Sequence, residues 1–311
     1  MMNARRVRGL RHLTVATLVS LVTAIIAVPS AQGQDALALR ARLSTLQEQF
    51  ANSPFQRPLL LESIQADDEL KGEVHAVLAH AFDVVLPALK SAGHWCDILM
   101  LHLNVKGCRT ETRDGGLILS VFSGRKFDQP LDQAYRFDFD YRVVASGPDY
   151  LQLRLAADRG PLGTRNYGIR IEAIPVGEGR TLLHMTYSYG YGLAAKLATQ
   201  VYLSTIGRDK VGFSIVRREP DGTPVYIAGE RGVIERNAMR YYLAIEAYLG
   251  AQALPLPERE GQRLRDWFDA IERYPRQLHE LERDEYLRMK RAELARQRSA
   301  APGGSTRRSA P

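Results

Sequence analysis

The chain has 311 residues, 42 basic against 35 acidic for a formal net charge of +7, and a 45 % hydrophobic content that supports a sizeable core in one large domain with appendages. The basic excess gives no reason to invoke nucleic acid, because four arginines (Arg5, Arg6, Arg8, Arg11) lie in the first eleven residues; without residues 1–33 the balance is 38 against 35, or +3.

Those arginines precede an uncharged run from Leu13 to Val28 and then the small-residue stretch PSAQGQ. Basic, apolar and small in that order reads as a signal peptide over 1–33, with a mature start at Gln34 and a periplasmic or secreted destination. A retained anchor is the competing reading. Arg5-Arg6 leaves open whether the route is the general one or the twin-arginine one.

After the leader, Leu39, Leu43, Leu46 and Phe50 fall at helical spacing, which predicts a short docking helix over 34–53, ended by Asn52-Ser53-Pro54. Two extended runs follow, Leu59 to Gln65 and Leu70 to His80, with an acidic turn at Asp67-Asp68. On the second, Glu73 and His75 share a face and are expected on its wet side. FDVVLPALKSAGHWCDIL predicts one or two short helices interrupted near Pro87 and Gly93.

Cys96 and Cys108 are the two cysteines of the chain, twelve positions apart. In an exported protein an even count favours a disulfide closing a short loop. Zinc on His94, Cys96, His102 and Cys108 fits no common ligand spacing, and a reactive thiolate would need a base held beside it.

From Met100 the pattern is strand after strand. MLHLNVKGCR is expected to set Leu101, Leu103 and Val105 against His102, Asn104 and Lys106, and Gly115-Gly116 turns it into LILSVFSG. Tyr135, Phe137, Phe139, Tyr141 and Val143 should point inward from the next strand; Asp138 and Asp140 with flanking arginines read as a surface charge ladder. Leu151, Leu153 and Leu155, then Tyr167, Ile169 and Ile171, then Leu183, Met185, Tyr187 and Tyr189 continue an antiparallel meander. A helix after Gly192, a hairpin turning at Asp221-Gly222 and a longer helix over ERGVIERNAMRYYLAIEAYLG complete the domain, 54–254, with Ile234, Ala238, Tyr241, Ile245 and Tyr248 on one stripe.

Residues 255–298 are a different material. Eleven basic and ten acidic residues alternate over 258–298, broken at Pro275, which reads as a solvated, salt-bridged helical extension whose basic end offers a contact for a membrane surface or an envelope protein. Residues 299–311 are expected to be a disordered tail.

No GxSxG elbow, HExxH, phosphate-binding glycine loop or dinucleotide fingerprint occurs, so no catalytic residue, metal or cofactor is assigned. The aromatic density between Met185 and Tyr248 carries the functional expectation instead. A long amphipathic helix crossing the concave face of a curved sheet leaves a gap, and tyrosines suit its walls, offering a ring and a hydroxyl.

EVHAVLAHAFDVVLPALKSAGHWCDIL, followed by a strand meander and a helix of the RYYLAIEAYL kind, resembles the START-like and birch-pollen-allergen-like helix-grip superfamily in the order of its elements over about residues 59–250. The resemblance implies an α+β fold in which a curved antiparallel sheet grips a long C-terminal helix, and binding of lipids or other apolar molecules between them. The expected pocket comprises Phe137, Phe139, Tyr141, Tyr167, Ile169, Met185, Tyr187, Tyr189, Tyr241 and Ile245, with Arg231, Arg236 or Arg240 available to an anionic head group. Two alternatives stand beside it: a scaffold acting through the charged C-terminal helices, and a hydrolase or cyclase on the same fold.

Overall fold

The computed structural model describes residues 31–177, 179–205 and 207–300; the expected leader up to residue 30 and the expected tail from residue 301 lie outside the described residues. Its frame is an eight-stranded antiparallel sheet of β1 (Leu59–Gln65), β2 (Glu69–Leu78), β3 (Val105–Arg113), β4 (Gly116–Ser123), β5 (Tyr135–Ser146), β6 (Leu151–Arg159), β7 (Arg165–Pro175) and β8 (Thr181–Gly190). The strand order is β1-β2-β8-β7-β6-β5-β4-β3. Sequential hairpins build β3 to β8, and β8 closes back onto β2. The β3–β4 hairpin turns at Asp114 and Gly115, both at positive φ (52° and 77°), the combination a two-residue hairpin needs to match strand twist.

The inner face of the sheet grips α5 (Gly229–Gly250). Helix and sheet approach closely at Gly72, where a Cβ would lie 2.9 Å from Ala238 Cβ, so only hydrogen fits at that crossing. The sequence offers α5 a single apolar stripe, yet Tyr242, Leu243 and Leu249 off that stripe are also buried. The far side of α5 is covered too, by α3 (Ala92–Leu99) and α6 (Leu256–Glu272). A helix packed on both sides buries more than one stripe.

Four local expectations are corrected. Pro87 does not interrupt α2 (Phe82–Lys90), whose Val85, Ala88 and Leu89 remain a buried stripe; the break falls at Ser91. Met100 to Leu103 are all buried in successive turns instead of alternating along a strand, and β3 begins at Val105. Val143 points to solvent, because a register shift between Val143 and Ala145 turns the end of β5 over, putting Ala145 on the outer face. There Ala145, Tyr150, Ile174 and Leu182 receive Ala36 and Leu39 of α1 (Ala31–Ala51). Glu73 and His75 are not on a wet face; both are buried.

Segment 255–298 also departs from a solvated extension. Trp267, Phe268, Ile271, Leu278, Tyr286, Leu287 and Met289, carried by α6, the single turn α7 (Pro275–Leu278) and α8 (Arg283–Ala300), belong to the same apolar core as the sheet and α5. Trp267 Nε1 donates to Arg240 O at 3.1 Å and Tyr286 Oη to Leu101 O at 2.8 Å. The alternating charges disguise these anchors, which fall at helical spacing between them.

Cys96 on α3 and Cys108 on β3 form a disulfide, with Cα atoms 5.2 Å apart. Closing so short a loop constrains the unfolded chain by about 2 to 3 kcal/mol. Replacing both cysteines with serine is expected to lower the unfolding free energy by that amount in urea titrations; an unchanged midpoint would show that the clasp adds nothing to the packing of α3 on β3.

Candidate functional site

Two adjoining chambers lie between the inner sheet face and α5. The inner one, about 200 Å³, has aromatic walls from Phe137, Phe139, Tyr167, Tyr187 and Tyr241, closed by Val105, Val121 and Pro161 and edged by the polar groups of His102, Asn104, Ser123 and Asn237. The outer one, about 170 Å³, shares Pro161, Tyr167, Tyr187 and Asn237 and adds Leu70, Tyr189, Tyr191 and Glu230. It meets the surface at Leu162, which is 62 % exposed, and at α4 (Leu193–Ser204) through Ala195 and Thr199.

Period-two alternation places these rings. Phe137 and Phe139 project inward from β5, with centroids 5.8 Å apart, and Phe137 meets Tyr167 of β7 edge-on at 5.0 Å. Tyr167 stacks on Tyr189 of β8 at 5.2 Å, and Tyr187 reaches Tyr241 of α5 at 5.0 Å. Tyr167 Oη donates to Thr164 Oγ1 at 2.9 Å. Burial pushes the hydroxyls of Tyr167, Tyr187, Tyr189 and Tyr241 above the ordinary phenol range, so all four are neutral at physiological pH.

Of the ten residues expected at the pocket, six line the chambers: Phe137, Phe139, Tyr167, Tyr187 and Tyr241 the inner, Tyr189 the outer. The other four are packed elsewhere. Ile169, Met185 and Ile245 are filled core. Tyr141 turns its hydroxyl to Lys90 O at 2.7 Å, tying β5 to the end of α2. The three arginines offered to an anionic head group face away. Arg231 bonds Ser63, Arg236 donates to Val211 O, and Arg240 donates to Leu278 O and Glu280.

Alternation in MLHLNVKGCR sets His102 on the polar side of a strand, but Met100–Leu103 fold as buried turns. In the folded chain the His102 ring stacks on Tyr241 at 5.0 Å and its Nδ1 accepts from Asn104 N at 3.2 Å. Burial, reinforced by nearby Arg240 and Lys290, holds it well below the usual histidine range, so the ring is neutral. Among the described residues its buried Nε2 has no hydrogen-bond partner. Asn237 carried a readable signal: it lies four positions before Tyr241 and seven after Glu230, on one helix face.

A second polar cluster sits on the opposite face of the sheet, beside α1. His184 Nδ1 contacts Glu172 Oε2 at 3.0 Å and its Nε2 contacts Glu73 Oε1 at 3.2 Å. Tyr150 Oη and Arg170 Nη2 both donate to Glu172 Oε1, at 2.7 and 3.0 Å. His75 stacks on His184 at 4.2 Å. The two histidines are driven apart: carboxylates raise His184 against its burial, whereas burial and the neighbouring His184 push His75 down to about 3. Among the described residues no group of three or more His, Cys, Asp or Glu is arranged to hold a metal ion.

A buried neutral histidine stabilises the fold fully above its unfolded pKa, and that stability is lost as pH falls toward the folded value. For His75 the window runs from about 6.5 down to about 3. Between pH 6.5 and 5 it accounts for a loss on the order of 1 to 2 kcal/mol, with His102 acting in the same direction. The raised pKa of His184 has the opposite sign and acts above pH 6.5. Urea denaturation at the two pH values should show this decline, reduced by roughly that amount in His75→Phe; an identical decline in the variant would rule His75 out as its source.

No family model matches the chain, and no curated protein matches it. Among solved structures it is similar to a START superfamily protein from Mycobacterium smegmatis at 16% identity and TM-score 0.30, covering 44% of this chain and 92% of that one. It is similar to a truncated norcoclaurine synthase from Thalictrum flavum at 14% identity and TM-score 0.30, covering 46% and 91%. It is also similar to human StAR-related lipid transfer protein 5 at 11% identity and TM-score 0.30, covering 56% and 90%.

Proposed function

We propose that the protein is an exported binding protein that holds a small, lipid-like or other apolar ligand between the sheet and α5. The observation that carries this reading is the pair of adjoining chambers with aromatic walls, set behind α4 and within the grip of the fold. Their volumes favour a compact molecule over a whole phospholipid. The basic, apolar and small-residue order of the first 33 residues supports export. The scaffold reading is less well supported, because the apolar residues of 258–298 that a partner would grasp are buried within the chain.

Native mass spectrometry of the full-length gene product, expressed and exported in its own host, tests this directly. A co-purifying apolar molecule is expected, lost in Val121→Phe, whose larger side chain fills the inner chamber. Protein that carries nothing and shows no saturable uptake of apolar probes would overturn the binding role. N-terminal sequencing should read Gln34 first; an intact N-terminus on cytoplasmic protein would overturn export.

A further inference from the structure

A trough of about 760 Å³ opens on the outer face of the sheet, away from both chambers and beside α1. Its floor is low because small residues meet there: Ala156 of β6 stands opposite Gly168 of β7, and Gly168 opposite Ser188 of β8. Ser188 Oγ leans over this floor, 3.3 Å from where a Cβ on Gly168 would stand. Beside the floor runs a row of arginines. The register sets Arg142 of β5 opposite Arg154 of β6, and Arg154 opposite Arg170 of β7, so the three follow one another at the roughly 5 Å spacing of adjacent strands.

Like charges placed directly opposite one another destabilise a sheet. Arg170 is compensated by Glu172 at 3.0 Å and Asp35 of α1 at 3.9 Å. Arg142 and Arg154 are exposed, and among the described residues neither has a carboxylate within ion-pairing distance. The neighbours of Arg154 on its own face of β6 are Gln152 and Ala156, both uncharged. Thr186 of β8, opposite Arg170, lines the same trough, and its hydroxyl and that of Ser188 make no hydrogen bond among the described residues. Arginine forks and free hydroxyls converging on a bare floor suit a phosphate or carboxylate group, which takes several donors at once. The acids of the trough limit how far such charge extends. Asp158 lies four positions along β6 from Arg154, and Glu69 two positions along β2 from the partner of Ser188, so both stand beyond the floor. A chain of repeated negative charges would run onto them.

We propose that this trough binds a small polar molecule ending in a single phosphate or carboxylate, held by Arg154 and Arg170 and by the hydroxyls of Thr186 and Ser188. The site is independent of the aromatic chambers, from which the sheet itself separates it.

Calorimetric titrations of the full exported protein, at neutral pH and constant ionic strength, test this with glycerol 3-phosphate and glycerate, which share a polyol body and differ in the anionic end. At least one should bind saturably, and glycerol should not bind. Arg154→Gln should weaken that binding about tenfold or more, and Thr186→Val by a smaller factor. Arg154→Lys, which keeps the charge without the fork, should retain part of the affinity. Because Arg154 has no partner to lose, Arg154→Gln should melt no lower than the parent without ligand, which separates a lost seat from a lost fold. Vesicles of phosphatidic acid in phosphatidylcholine separate two sources of the same group: capture that depends on Arg154 makes the source a lipid headgroup, and binding of the soluble anion alone makes it a free solute. Equal affinity in Arg154→Gln, tighter binding of tripolyphosphate than of either probe, or no saturable binding of the soluble anions or the vesicles would overturn the site and leave the chambers' role standing.

Discussion

Ending the chain at Leu254 is expected to abolish the soluble fold, because α6 to α8 are part of the core they cover. Trp267, Leu278 and Tyr286 are each at most 1 % exposed, and Phe268, Ile271, Leu287 and Met289 are also buried. At about 1.5 to 3 kcal/mol for each large apolar side chain, seven such residues contribute on the order of 10 kcal/mol or more before the entropy of ordering the segment is subtracted. That is comparable to the whole of a domain's net stability, about 5 to 15 kcal/mol. The remaining chain would also retain buried polar groups stripped of partners. Arg240 would lose Glu280, and Lys106 would lose Glu293. Soluble yield and far-ultraviolet circular dichroism of the truncated protein check this. A cooperative transition with a near-native midpoint would show that 255–311 is an independent appendage after all.

Replacing Glu293 with alanine should destabilise the protein by about 3 to 5 kcal/mol. Its carboxylate is fully buried on α8 and bridges two equally buried lysines, Lys106 at 3.0 Å and Lys290 at 2.6 Å. Lys106 Nζ also donates to Leu103 O, and Lys290 Nζ to Val105 O and His102 O. The triad therefore fastens α8 to the turn that carries His102 into the inner chamber. Burial lowers Lys290 to about 8 even though Glu293 pulls it upward. Without the carboxylate, two ammonium groups would be left in the interior with backbone carbonyls and the Met289 thioether as their partners. The combined variant Lys106→Met, Lys290→Met and Glu293→Leu should recover most of the loss, since the same volume is then filled without charge. Urea midpoints of the single and triple variants decide it; a Glu293→Ala midpoint within error of the parent would mean the triad is solvated in solution.

The two variants bear on function as well as stability. Because the triad holds the 100–105 turn, whose His102, Asn104 and Val105 line the inner chamber, Glu293→Ala is expected to weaken ligand uptake even where the domain remains folded, whereas the triple variant should restore both properties together.

Much of the fold was legible along the chain. Alternation in YRFDFDYRVV, YLQLRLAA and RTLLHMTYSYG specifies which side chains share a face, and the strands there are long enough for the pattern to be read without a partner. Six of the ten expected pocket residues line the chambers for the same reason: a residue's face is a local property. Whether that face meets a cavity or filled core is not, and Ile169, Met185 and Ile245 share a face with the lining residues yet meet close-packed neighbours.

What escaped the sequence were contacts between distant segments. Glu73, His75, Glu172 and His184 are polar alternates on three strands, and only the pairing of β2 with β8 and of β8 with β7 brings them together beneath α1. Lys106 and Glu293 are separated by 187 positions, so nothing local distinguishes them from the solvated charges around them. Local periodicity determines strand, helix and the inward face, because those depend on steric and solvation preferences of neighbouring residues. The tertiary structure alone decides which charges are buried, which tyrosines border a chamber and where His102 points, because burial depends on what another part of the chain places opposite each residue.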